Sequence, residues 1–242
     1  MGITTERVQI GGMGGYLALP EGSGPHPAVI VYMEIFGVNG HIRDVAERVA
    51  KEGYVALAPD FFHRTGPGVE YGYDDDGMAS GMKLLMALTA DEMISDSRAA
   101  LAYLRGRRDV RGDRIGAMGF CIGGHMTYLQ ACETGVTAAA SFYGGGIAGR
   151  EGPGGQASTI GRTASISGRI LCLFGDQDAF IPGDEVDAIR AALEKAAVQH
   201  EVVVYPGCDH GFFCDQRDGY QQKASEDAWA RVKRLFEEEL GS

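Results

Sequence analysis

Nucleophilic chemistry is concentrated in one segment, Gly119-Phe-Cys-Ile-Gly-Gly124. An apolar run from Arg114 to Phe120 precedes it and reads as a strand. Ile122 to Cys132 follows and reads as a helix. The Gly-x-Cys-x-Gly-Gly between them predicts a sharp strand-to-helix turn with Cys121 at its apex. Turns of this kind usually carry serine as the nucleophile. Gly119 and Gly123 lack a Cβ, so strand and helix can pass close to each other. The side chain at the apex then points out of the carboxyl edge of a sheet, where α/β ligand sites lie. The N-terminus of the following helix favours a thiolate and an oxyanion.

A thiol nucleophile needs a base and a group to orient that base. The candidate base is His210 in Asp209-His-Gly-Phe212, just beyond the apolar run Glu201–Tyr205. The candidate acids follow the run Ile170–Phe174: Asp176 and Asp178 lie in Gly175-Asp-Gln-Asp-Ala-Phe-Ile-Pro182. Asp209 also competes. It adjoins His210, so its side chain is expected to diverge, and Asp176 suits a local loop hydrogen bond. Asp178, ahead of Ala-Phe-Ile-Pro, is the favoured acid. His125 lies one helical turn after Cys121 and reads as a helix-face histidine. His26, His41, His63 and His200 read as solvated.

Positioning these groups requires three loops at one sheet edge. The pattern supplies them, because short apolar runs alternate with amphipathic stretches. Strands are expected at 29–33, 54–58, 114–120, 138–143, 170–174 and 201–205. Helices are expected at 42–52, 90–105, 122–132, 184–197 and 224–240. Such alternation implies an α/β fold with a mostly parallel sheet. Arg7–Ile10 and Tyr16–Leu19, joined by glycines, read as an antiparallel hairpin at the sheet edge. Two stretches, 65–80 and 144–167, read as long loops and candidate lids. No repeat and no composition shift divides the chain, so one domain over residues 1–242 is expected.

Composition narrows the function classes. The chain has 242 residues, with 22 Lys+Arg against 33 Asp+Glu, a formal net charge of −11. This acidity disfavours nucleic acid, whose binding draws on basic patches, and disfavours an anionic membrane surface. No apolar run approaches the ~20 residues of a membrane span. The 37 glycines are about twice the usual ~7% share, so many tight turns are expected. The start, Met1-Gly-Ile-Thr-Thr-Glu6, lacks the basic-then-apolar pattern of an export signal. Five scattered cysteines then read as reduced thiols and the expected location is cytoplasmic. Cys132 and Cys172, inside apolar segments, read as inert.

These segments, together with Met33-Glu-Ile-Phe-Gly-Val-Asn39 and Ala58-Pro-Asp-Phe-Phe62, resemble the dienelactone hydrolase family. The likeness runs over nearly the whole chain in matching order. It implies an α/β-hydrolase fold, with a mostly parallel central sheet and helices on both faces. It also implies hydrolysis of small carboxylic esters or lactones through a thioester acyl-enzyme. Carried onto this sequence, the triad is Cys121, His210 and Asp178. Glu34 corresponds to the carboxylate that in the family pairs with the cysteine when the site is empty. The backbone N–H groups of Ile35 and Ile122 correspond to the oxyanion hole.

One departure bears on the substrate. The family holds a substrate carboxylate with arginines, yet residues 66–97 contain no Arg and Lys83 as their one cation. Arg64 or Arg217 could substitute, and Arg64 is the substrate-binding candidate. Phe36, Phe212 and Phe213 imply a more apolar substrate pocket. No cofactor and no metal are expected, and the partner is a small ester or lactone. A monomer or small homo-oligomer is expected. Two other readings exist: a zinc site built on Cys208-x-His210-x3-Cys214, or a non-catalytic protein that keeps the fold. A nucleotide site is disfavoured, since Gly11-Gly-Met-Gly-Gly15 lacks the required spacing and helix.

Overall fold

The computed structural model of the chain describes residues 2–241. Its strands are β1 (Ile3–Ile10), β2 (Met13–Pro20), β3 (His26–Tyr32), β4 (Val55–Pro59), β5 (Val110–Phe120), β6 (Ala138–Phe142), β7 (Glu151–Gly152), β8 (Gln156–Ala157), β9 (Arg169–Gly175) and β10 (His200–Tyr205). Eight of them form one sheet in the order β1-β2-β4-β3-β5-β6-β9-β10, and β7 and β8 pair separately. From β4 through β10 the neighbours in this sheet run parallel. β1 and β2 form the expected hairpin, closed by Gly11 at φ 63°, and β2 joins β4 antiparallel.

The helices are α1 (Gly40–Lys51), α2 (Asp75–Leu85), α3 (Ala90–Arg105), α4 (Ile122–Thr134), α5 (Gly183–Lys195) and α6 (Gln222–Leu240). They cover both faces of the sheet. A Cβ on Gly116 would meet Leu240 and Phe236 of α6, whereas one on Gly119 would meet Gly123 of α4. Residues three apart on a strand point to opposite faces. Central strands covered on both sides read as continuous apolar runs rather than alternating ones. β4, β6 and all of β3 after His26 are accordingly buried throughout.

The stretch 65–80 is not a continuous loop. Its second half enters α2, which starts at Asp75. The three aspartates that resemble loop composition are helix-start chemistry. The Asp74 side chain accepts the Gly77 N–H at 2.7 Å, and Asp75 and Asp76 lie in the first turn, where the helix dipole favours negative charge. The stretch 144–167 holds the β7–β8 ladder and short 3₁₀ segments at Pro153–Gly155 and Thr159–Ser165. Among the described residues, no helix is long and apolar enough to cross a membrane.

Candidate active site

Cys121 sits where β5 turns into α4, as its N-cap residue, with φ 57° and ψ −120°. That backbone conformation is costly for a residue with a Cβ. The surroundings hold it there: its N–H donates to the Phe142 carbonyl at 3.1 Å, and its carbonyl accepts from Gly124 and His125. The glycines around it are sterically required. A Cβ on Gly119 would lie 2.3 Å from the Gly123 carbonyl oxygen, and one on Gly124 would lie 2.3 Å from that of Phe142. The thiol is half-buried at the positive end of α4.

His210 and Asp178 come from the loops after β10 and β9. His210 Nδ1 lies 2.8 Å from Asp178 Oδ2. The other carboxylate oxygen of Asp178 accepts the Phe180 N–H at 2.9 Å, and its side chain is fully buried. The rival acids are occupied elsewhere. Asp176 accepts the Gly207 N–H, and Asp209 accepts the His210 N–H. The rings of Tyr143 and Phe180 pack edge-on against the imidazole, with centroids 5.0 and 5.2 Å away. Burial alone would lower the pKa of His210. The Cys121 sulfur and the Asp178 carboxylate outweigh it and hold the imidazole up at about 10, against an ordinary 6.5.

Glu34 follows β3 and is fully buried. Both of its oxygens are taken by groups other than the Cys121 thiol: Tyr73 Oη donates at 2.8 Å and Arg217 at 3.2 Å. The Arg217 guanidinium lies over the rings of Phe36 and Tyr73. It reaches them across Gly211 (φ 82°), where a Cβ would fall 2.6 Å from a guanidinium nitrogen. Neither the Ile35 nor the Ile122 N–H donates to an acceptor among the described residues. Cys121, His210, Arg217, Ile35, Ile122 and Phe36 line one cavity of about 220 Å³. Its remaining wall includes Met78, Met82 and Leu85 of α2, Gly145, Gly146 and Phe180.

Several sequence expectations are corrected. Arg64 does not reach this cavity, because its guanidinium is locked in a two-pronged ion pair with Asp96 at 2.6 and 2.8 Å. Phe212 and Phe213 do not line it either. They are core residues: Phe213 packs on Phe120 and Phe142, and Phe212 on Tyr143 and Tyr205. His41 is fully buried rather than solvated, edge-on to Phe120 and Phe213. For the zinc reading, Cys208, His210 and Cys214 do not bring their ligand atoms together among the described residues. The side chains that gather instead are Glu34, His41 and Cys214, without Cys208 or His210. Sequence reading missed Tyr73 and the α2 wall. Met78, Met82 and Leu85 have helical i, i+4, i+7 spacing, a signal masked by the neighbouring glycines and aspartates.

Comparison with known proteins fits this geometry. Residues 13–240 match the profile of the dienelactone hydrolase family. The chain is 47% identical over 238 residues to a Synechocystis sp. protein named "Putative carboxymethylenebutenolidase", covering 98% of this chain and 95% of that one. A Klebsiella pneumoniae crystal structure named "Putative Dienelactone Hydrolase" superposes with a TM-score of 0.87 at 32% identity, covering 98% and 99% of the two chains. A dienelactone hydrolase-like promiscuous phosphotriesterase from metagenomic libraries superposes with a TM-score of 0.81 at 25% identity, each chain fully covered. With the family profile matched over nearly its whole length, the chain belongs to the dienelactone hydrolase family of ester hydrolases.

Proposed function

We propose that the protein hydrolyses small carboxylic esters or lactones through a Cys121 acyl-thioester. The observation that carries this reading is a half-buried thiol at a helix N-terminus, sharing one cavity with an imidazole that Asp178 orients. His210 takes the proton of the Cys121 thiol. The sulfur attacks the carbonyl carbon and its oxygen moves toward the Ile35 and Ile122 N–H groups. Loss of one such donor typically costs roughly 3 kcal/mol of transition-state stabilisation. His210 then gives its proton to the departing alkoxide as the C–O bond breaks. Water, deprotonated by His210, attacks the thioester, and the acid leaves as the sulfur is regenerated.

The positions of Glu34 and Arg217 refine the substrate. Arg217 is the one Arg or Lys lining the cavity among the described residues, and Glu34 already holds it. An uncharged ester or lactone binds without disturbing that pair, whereas a carboxylate-bearing substrate must compete with Glu34 for the guanidinium. The test is a panel of aryl esters and lactones with and without a free carboxylate. Cys121→Ala is expected to reduce turnover of p-nitrophenyl acetate by roughly 10⁴-fold or more. Undiminished turnover in that variant overturns the reading.

A further inference from the structure

The catalytic cavity is not the whole cleft. A second cavity of about 610 Å³ adjoins it and shares Leu85, Ile122, Gly145 and Gly146 with it. Beyond these, its walls are Met86 and Leu88 after α2, His125, and the segment from Glu151 to Gly155. His210, Phe180 and Arg217 border the first cavity and not the second. The two cavities meet beside Ile122, one of the two proposed oxyanion donors, and Cys121, Ile35 and His210 all stand on the first cavity's side of it.

That asymmetry orients a substrate. The departing oxygen must lie beside His210, so the alcohol portion occupies the first cavity. The other substituent of the same carbonyl, the acyl chain, leaves in the opposite direction, past Ile122. The second cavity is where it goes, and its lining states what chain it accepts. Leu85, Met86, Leu88 and Ile122 are apolar. His125 offers no free polar group, since its nitrogens are taken by the Gly145 carbonyl at 2.8 Å and Thr159 Oγ1 at 2.7 Å. Glu151 is the one ionisable lining residue besides His125, and it repels an anionic tail. The surface carries the same message. Among the described residues, four large apolar side chains are exposed, and Met82, Met86 and Phe180 are three of them. All three rim these two cavities. Isolated exposed apolar residues need no explanation, but a cluster at a cleft mouth marks a surface that an apolar ligand covers. Together the cavities fall within the roughly 300–1,000 Å³ of sites that hold drug-sized ligands.

Resting on the acyl-thioester reading, we infer that the preferred substrates are esters with an extended, uncharged, apolar acyl chain held in the second cavity. The experiment is a series of p-nitrophenyl esters from acetate through butyrate and hexanoate to octanoate. It is run on the wild type, Cys121→Ala and Met86→Glu. Met86 is 79% exposed, so the charge is tolerated by the fold. Transfer of each added methylene out of water predicts kcat/KM at least tenfold higher for octanoate than for acetate. Met86→Glu lowers that octanoate-to-acetate ratio at least fivefold. Cys121-dependent turnover that stays flat or falls with chain length overturns the inference, as does a ratio unmoved by Met86→Glu. Long-chain turnover that survives Cys121→Ala overturns the acyl-thioester reading, and with it the orientation argued here.

Discussion

Cys121 and Cys214 each have a histidine and a carboxylate in their neighbourhood, yet the two clusters differ in every respect that matters for reactivity. At Cys121, the carboxylate of Asp178 bonds the imidazole of His210 directly. Cys121 is the N-cap residue of α4, and its thiol opens onto a cavity. Behind that cavity, Cys214, His41 and Glu34 bring their ligand atoms within 4.8 Å of one another, all fully buried. There the carboxylate bonds Tyr73 and Arg217 instead of the histidine. Neither ring nitrogen of His41 has a hydrogen-bond partner, and burial lowers its pKa and keeps it neutral. Burial also pushes the Cys214 thiol up to about 11. The same three residue types thus give an oriented, accessible pair in one place and an unreactive packing unit in the other. What separates them is which group the acid touches and whether the sulfur meets solvent.

The largest test of this contrast removes the orienting acid. Asp178→Asn is expected to reduce kcat by roughly 10³–10⁴-fold, because the amide favours the wrong imidazole tautomer. The measurement is steady-state turnover of p-nitrophenyl acetate, with circular dichroism to show that the fold persists. A loss below tenfold would mean that Asp178 only packs against the ring. Alkylation compares the two clusters directly. Iodoacetamide is expected to modify Cys121 at least roughly 10²-fold faster than Cys214, since only the thiolate reacts and only one sulfur is accessible. Peptide mass spectrometry over a time course reads both sites. Labelling of Cys214 at a comparable rate would dissolve the distinction.

The smallest effect is in pH. The His210 pKa is raised from 6.5 to about 10 in the folded state. Its contribution to stability is therefore complete below about 6.5 and is lost as pH rises through about 10. In the proposed mechanism, His210 above that point lacks the proton that the leaving group needs. A log plot of kcat/KM is expected to bend down near pH 10 and fall roughly tenfold per unit. Thermal denaturation should lose stability over the same interval. A profile that bends near 6.5 would show that the sulfur and carboxylate do not hold the proton on the ring.

The candidate triad was legible in the sequence because each member carries a local mark. The glycines around Cys121 are demanded by contacts below 3 Å. Asp178 and His210 each follow an apolar strand that ends at the same sheet edge. The substrate wall was less legible. α2 looked like loop because its capping aspartates and glycines have loop composition, and only the folded chain shows Asp74 closing a helix. The aromatic pair after His210 looked like pocket lining for the opposite reason. Phe212 and Phe213 follow His210 by two and three residues, but the turn sends both rings into the core.

Local covalent order carried the strand-turn-helix signals, the strand carriers and the candidates for nucleophile, acid and base, since those depend on residues within one turn or one strand of each other. Partnerships between distant segments were decided only in three dimensions. As sequence, Arg64 was the favoured substrate-binding arginine and Arg217 only an alternative to it. Asp96, on α3, captured the first, and Glu34, 183 residues from Arg217, placed the second at the cavity. Ion pairs and cavity walls are properties of which surfaces meet, and a charge's partner is chosen by distance through space rather than by distance along the chain.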